Sequence, residues 1–327
     1  MTISILGAGS FATSVASLLA DREEVLLYAR DEMLALSINN ENENLKYFPG
    51  IKLSKNIKAT TKLKEIFENK YIINAIPTQQ VRNVLEKSRD YLSDDHVIIN
   101  LSKGLELGSH KRISEIFKEF NPHVSYVVLS GPSHAEEVIK KMPTTLVCAN
   151  EDLNLAKEIQ KLFVRDYFRV YSSTDVIGVE LGGAIKNILA FGIGMAQGLG
   201  YGDNARAAMI TRGIHEMTRF AKSFGADSKT INGLAGIGDL IVTATSNHSR
   251  NNRAGILVGK GLSLTEVENE INMVVEGIPT TKAVYELAKD KKIELPITNE
   301  IYKVLFKNKD CAVSVGDLMM RDIKSEF

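Results

Sequence analysis

Short apolar runs alternate with amphipathic stretches through the first half of the chain. Segments 3–6, 25–28, 71–76, 97–101, 126–129, 144–148 and 168–171 have the length and β-branched content of strands. Between most of them, segments 10–20, 79–87, 113–120 and 153–163 carry apolar residues at helical spacing. Strands apolar on both faces, separated by helices, predict a mostly parallel sheet covered on both sides. After about residue 174 the strand signals stop. Helical patterns follow at 178–198, 204–224, near 230–245, 263–271, 279–290 and 298–307. Ser263 and Glu266 have capping-box spacing, and Thr298, just past Pro296, is placed to cap a helix. The pattern predicts an α/β chain: a doubly wound sheet domain over 1–176 and an all-helical domain over 177–327. The Asn/Glu-rich stretch 39–50 predicts a surface loop.

Composition narrows the picture. At 327 residues, 44% hydrophobic and 24% charged, the chain is long enough for two domains with substantial cores. Forty basic residues balance forty acidic ones, so no overall field favours nucleic acid or an anionic membrane. Cys148 and Cys311 lie far apart and fit reduced thiols in a cytoplasmic protein. The six histidines show no ligand spacing, which argues against a metal centre. No charged and apolar leader precedes the first strand. One segment looks membranous, GVELGGAIKNILAFGIGMAQGLG at 178–200, and it holds a Gly194-x-x-x-Gly198 pair. Between Asn187 and Gln197, however, only nine residues run without a polar side chain, against roughly 20 needed to span a bilayer. The expectation is no membrane insertion.

Chemistry enters at the N-terminus. Gly7-x-Gly9-x-x-Ala12 follows a strand and opens a helix. The first glycine suits a tight turn, the second lets a pyrophosphate approach the backbone, and the small third residue allows close helix–strand packing. The helix N-terminus then offers N–H groups and a positive dipole end to the phosphates. The sheet domain is therefore expected to be Rossmann-like. At the end of the second strand stands Arg30, followed by Asp31. An acid there favours NAD, whereas an arginine accommodates the 2′-phosphate of NADP. Arg30 thus favours or tolerates NADPH, with a solvated surface arginine as the alternative.

Further polar groups sit on small-residue turns. Lys103 lies just beyond a strand, and Gly131 and Ser133 at another strand end. Ser133 either caps the next helix or meets a ligand, and the two roles are compatible. Asp239 is followed by Ser249, Arg250 and Asn251, which serve either a phosphate or a plain polar loop. In 178–200, Gly182, Gly183 and Ala190 share a helical face with Lys186. Such a face fits another backbone packed closely, or a substrate lying within the lysine's reach. An unpaired buried lysine is costly, and Glu180 is not its helical neighbour. The spacing favours a working lysine.

Together these residues resemble the bacterial NAD(P)-dependent glycerol-3-phosphate dehydrogenases. GAGSFAT, SKGLE, SGPSHAEE, the long block around Lys186, LAGIGDLIVTATSNHSRN and VVEG occur in the family's order along essentially the whole chain. The resemblance implies reversible hydride transfer between NAD(P)H and dihydroxyacetone phosphate, giving sn-glycerol 3-phosphate for phospholipid synthesis. It implies that Ser10, Phe11, Arg30, Lys103, Ala135, Arg250, Val274 and Glu276, beside Gly7 and Gly9, contact the cofactor. It implies substrate contacts from Lys103, Gly131, Ser133, Lys186, Asp239, Ser249, Arg250 and Asn251, with Lys186 as the catalytic acid/base. The protein partners are left open, a homodimer included. Ser102, Thr245 and Ala254 stand where the family often has Thr, Cys and an aromatic residue. The rival expectations are another two-domain dehydrogenase, of 2-hydroxy-acid or 6-phosphogluconate type, and a catalytically silent dinucleotide sensor.

Overall fold

The computed structural model describes residues 1–322, 325 and 326. Eight strands form one sheet: β1 (Thr2–Leu6), β2 (Glu24–Tyr28), β3 (Ile57–Thr60), β4 (Tyr71–Asn74), β5 (Val97–Asn100), β6 (Ser125–Ser130), β7 (Thr144–Ala149) and β8 (Phe168–Ser173). Their order is β3-β2-β1-β4-β5-β6-β7-β8, and every pairing is parallel except that of β6 with β7. The chain leaves β1 for β2 on one side and returns to β4 on the other. Their carboxyl ends therefore flank a topological switch point, where doubly wound sheets take ligands.

Two compact units result, one formed by 1–103 and 111–180, the other by 104–110 and 181–327. The first holds the sheet. Ile3, Ile5, Leu27, Ile73, Ile99 and Val127 are buried in its central strands. The second is helical, and the boundary falls after Glu180, inside the 23-residue helix Val176–Gly198. By length and composition that helix could cross a membrane, but 94% of its apolar window is buried within the protein.

Glycine decides how that helix is buried. A Cβ at Gly194 or Gly198 would overlap Asn252 O or Ile256 O of the helix Arg250–Gly259. A Cβ at Gly255 or Gly259 would overlap Phe191 O or Met195 O in return. Two G-x-x-x-G faces thus cross with their backbones in contact, which a side chain at any of the four positions would prevent. The motif that suggests a membrane dimer in the sequence works here inside a single unit.

Several local expectations need correction. β3 was not anticipated: it is a short edge strand whose Lys58 is exposed between buried Ile57 and Ala59, and lysine is a common device for blunting a sheet edge. The 39–50 stretch is not simply a surface loop, because Glu43, Asn44 and Phe48 are buried. Helices Arg250–Gly259 and Cys311–Met319 were not anticipated either. The region near 230–245 divides at its glycines into Ser228–Ile231, a π-turn at Leu234–Gly238, and Asp239–Thr245. The Ser263–Glu266 capping box is present. Thr298 is not an N-cap: Pro296 opens that helix, and Thr298 lies within its first turn.

The cap at Pro296–Lys307 comes instead from Glu216, whose carboxylate accepts hydrogen bonds from Ile297 N–H and from Thr298 N–H and Oγ1 (both 3.1 Å). Burial outweighs those bonds and pushes the carboxyl up to about 7. The folded chain then keeps a proton that the unfolded chain releases at about 4.3. Stability contributed by protonated Glu216 is therefore lost as pH rises from about 4.3 to about 7, by roughly 4 kcal/mol at most. Urea unfolding at pH 5 and pH 7.5 checks this: Glu216→Gln should flatten the decline seen in the parent chain, and an equal decline in both would refute the assignment.

Candidate active site

The turn after β1 is shaped by two glycines with different duties. Gly7 has φ +118°, and a Cβ there would lie 3.1 Å from Ala75 O, just past β4. It turns the chain where L residues are strained and lets the turn lie on the neighbouring strand end. Gly9, in extended conformation, is the N-cap of helix Ser10–Leu19 without a side-chain cap bond, and a Cβ there would meet nothing within 4 Å. The bare backbone and the positive helix end fit a dinucleotide pyrophosphate. Beneath the turn, buried Asn44 donates from Nδ2 to Ala8 O (3.0 Å) and Thr13 Oγ1 (2.8 Å). Ser10 is buried, and Phe11 is half-buried against the core.

Arg30 is exposed two residues past β2. Asp31 caps helix Glu32–Leu36, its Oδ1 accepting from Met33 N–H (3.0 Å) and Leu34 N–H (3.4 Å). The acid beside the strand end is thus engaged with its own backbone. At the far side of the sheet, Lys103 Nζ donates to Gly131 O (3.1 Å), and Ser133 Oγ donates to the same carbonyl (3.0 Å). Gly131 has φ +141°, and a Cβ there would sit 2.9 Å from a Leu146 methyl. His134, not Ser133, is the N-cap of the short helix that Ala135 opens.

In the helical unit, Lys186 is only 7% exposed and its partner Asp239 only 2%. Lys186 Nζ lies 2.9 Å from Asp239 Oδ1 and donates to Thr243 Oγ1 at 2.7 Å. The Thr243 hydroxyl donates in turn to Asp239 O (2.6 Å), so a lone pair is left facing the ammonium. Losing one partner of such a buried pair costs about 3–5 kcal/mol. Glycine again sets the approach. A Cβ at Gly182 would lie 2.7 Å from Ala235 O. Gly182 and Ala235 each precede their ion-pair residue by four positions, so close backbone contact there brings Lys186 onto Asp239. Glu180 does not compete for the lysine. It is buried in the sheet unit, where it accepts from Arg112 Nη1 (2.8 Å), Ser114 N (2.9 Å) and Oγ (2.6 Å), and Tyr126 Oη (2.6 Å). Burial and this carboxylate hold the Tyr126 phenol well above its usual range.

The Ser249–Asn251 trio belongs to a helix start rather than a polar loop. Ser249 Oγ caps Arg250–Gly259 by accepting from Asn252 N–H (3.2 Å). First-turn N–H groups lack partners within a helix, and its positive end attracts anions. Arg250 is held by Nη1 to Val274 O (3.3 Å), while Asn251 donates to Asn187 Oδ1 and accepts from Gly277 N–H, both at 2.8 Å. The Asn251 side chain therefore joins three segments, leaving its backbone amide on the anion-attracting turn. Val274 is exposed, and Glu276 is the N-cap of helix Gly277–Asp290.

The structure thus gathers Gly7, Gly9, Ser10 and Phe11 in one group and Lys103, Gly131 and Ser133 in a second. In the helical unit it joins Lys186 to Asp239, and Arg250 and Asn251 to the Val274–Gly277 turn. Thr243, Asn187 and Gly277 escaped the sequence analysis as site residues. The four-residue step from Asp239 to Thr243 was the available signal for the first. Among the described residues no cluster could hold a metal ion.

A dinucleotide turn on a doubly wound sheet and a buried lysine held by a carboxylate define an NAD(P)-dependent oxidoreductase. The profile of the NAD-dependent glycerol-3-phosphate dehydrogenase N-terminus matches residues 2–156, and that of the C-terminus residues 175–315. A glycerol-3-phosphate dehydrogenase [NAD(P)+] of Ligilactobacillus salivarius is 49% identical over 333 residues, covering 99% of this chain and 98% of its own. That of Clostridium tetani is 45% identical over 326 residues, with coverage of 99% and 93%. The crystal structure of glycerol-3-phosphate dehydrogenase from Coxiella burnetii superposes with TM-score 0.94 at 35% identity, covering 98% of this chain and 99% of that one. The chain belongs to the NAD-dependent glycerol-3-phosphate dehydrogenase family.

The two glycines of the first turn should separate experimentally. Gly9→Ala should leave unfolding free energy unchanged or raise it by about 0.4–1 kcal/mol, yet weaken NADPH binding about tenfold or more. Gly7→Ala should destabilise by roughly 1–2 kcal/mol. Denaturation and fluorescence titration measure both; a Gly9→Ala chain that binds cofactor normally would remove the pyrophosphate from this turn.

Proposed function

We propose that this chain catalyses the reversible NAD(P)H-dependent reduction of dihydroxyacetone phosphate to sn-glycerol 3-phosphate, with Lys186 as proton donor. The observation that carries the assignment of Lys186 is its burial against Asp239 and Thr243. The nicotinamide, when bound, supplies the hydride. As charge develops on the carbonyl oxygen, the Lys186 ammonium stabilises it and donates a proton; in the reverse direction the neutral amine accepts one. Asp239 and Thr243 hold Nζ from two directions, so the proton is delivered from a fixed point. Arg250 and the first-turn amides of Arg250–Gly259 hold the substrate phosphate, and this remote binding energy orients the reacting carbon. Lys103, Gly131, Ser133 and Asp239 complete the proposed substrate set. The proposed cofactor set is Gly7, Gly9, Ser10, Phe11, Arg30, Lys103, Ala135, Arg250, Val274 and Glu276.

For the cofactor, the engagement of Asp31 as a helix cap supports Arg30 as the group that meets a 2′-phosphate, and so supports use of NADPH. Buried free thiols at Cys148 and Cys311 support a cytoplasmic enzyme. The product is the backbone of glycerophospholipids, and supply of their synthesis is the proposed physiological role.

Purified protein should oxidise NADPH when dihydroxyacetone phosphate is added, and far less with unphosphorylated dihydroxyacetone. Lys186→Ala should lower kcat by about 10²–10⁴-fold with cofactor affinity near that of the parent. Tight cofactor binding without turnover would instead indicate a sensor. Arg250→Ala should chiefly raise KM for the phosphorylated substrate, and an unchanged KM would place the phosphate elsewhere.

A further inference from the structure

Two adjacent central strands end on the same residue. β4 is YIIN and β5 is VIIN, and Asn74 and Asn100 are register partners at the carboxyl end of the sheet. Both are completely buried. An amide in a strand core is unfavourable unless its donors and acceptors are met, and Asn74 Oδ1 is buried without a protein partner. Stability alone therefore does not account for the pair.

Apart from a bond between Asn100 and the buried Tyr126 hydroxyl, the hydrogen bonds that leave the pair converge on Ser102. Asn74 Nδ2 donates to Asn100 Oδ1 (2.8 Å) and to Ser102 Oγ (3.3 Å). Asn100 grips the chain two residues ahead: its Oδ1 accepts from Ser102 N–H (3.1 Å), and its Nδ2 donates to Ser102 O (3.0 Å). The Ser102 hydroxyl donates to Ile76 O (2.6 Å) in the loop after β4. Backbone donor, backbone acceptor and side chain of Ser102 are thus all tied to the strand ends. The next residue is Lys103, whose Nζ reaches Gly131 O at 3.1 Å.

We infer that Asn100, braced by Asn74 and Ser102, is a positioning residue for Lys103, fixing the peptide from which that lysine meets its ligand. This rests on the assignment of Lys103 to the cofactor and substrate set. A displacement of about 1 Å in such a group is enough for a large loss of function, while a threonine in place of Ser102 keeps the hydroxyl.

The test compares Asn100→Ala, Ser102→Ala, Ser102→Thr, Lys103→Ala and the double variant Asn100→Ala/Lys103→Ala. Two readouts are taken: NADPH affinity by fluorescence titration of the protein alone, and the kcat and KM for dihydroxyacetone phosphate. Asn100→Ala and Ser102→Ala should each weaken NADPH affinity or raise KM about tenfold, with Ser102→Thr restoring parental values. The double variant should be no worse than Lys103→Ala, because Asn100 acts through the lysine. Losses that multiply in the double variant, or an unaffected Asn100→Ala beside an impaired Lys103→Ala, would overturn the positioning role. A Lys103→Ala chain with parental affinity and KM would overturn the assignment of Lys103 itself, and the positioning role with it. Should Asn100→Ala not fold, the Ser102→Ala and Ser102→Thr pair carries the same comparison.

Discussion

The helical unit is organised around one charge taken out of water. Burying the Lys186 ammonium is tolerable because Asp239 and Thr243 meet it, and they meet it because Gly182 lets the backbone of Ala235 come within contact. A side chain at position 182 would push the Leu234–Gly238 turn away, and loss of the carboxylate would leave an unpaired charge in the core. Packing and the orientation of the lysine therefore rest on the same contact. The pair also explains why a helix of low polarity contains a lysine at all.

The same economy of side chains recurs at the anion-attracting turn. The Asn251 side-chain amide ties Asn187 to the start of the next helix. Its peptide N–H remains part of the helix N-terminus that Arg250 flanks. Gly277 cannot be larger: a Cβ there would lie 2.7 Å from Asn187 O. Polar side chains here hold backbone, and backbone together with a single guanidinium presents positive potential.

Much of this was legible in the sequence. Apolar strands such as 97–101 stand out because they are buried on both faces, and the βα turn at Gly7 and Gly9 carries its own geometry. What escaped notice did so for physical reasons. β3 alternates with lysine because only one of its faces is buried. Helix Arg250–Gly259 contains two glycines, which lower helix propensity, and only the opposing glycines of Val176–Gly198 reveal why they are there. Asn44 looked like loop composition, yet its amide is needed beneath the first turn. Lys186 and Asp239 each stood out in the sequence as candidates, but their pairing did not, because they lie more than fifty residues apart and are united only by tertiary packing.

The crossed glycine faces also bear on how the chain is made. Helix Val176–Gly198 is complete roughly sixty residues before the end of Arg250–Gly259, the helix that covers its glycine face. At about 5–20 residues per second, that interval is roughly 3–12 s of synthesis. Throughout it, a helix apolar enough to enter a bilayer is without its intended cover. The polar interruptions at Lys186 and Asn187, met by Asp239, Thr243 and Asn251 in the finished fold, break the apolar run of the nascent segment. Residues that join this helix to its neighbours once folded thus also set it apart from a continuous apolar span beforehand.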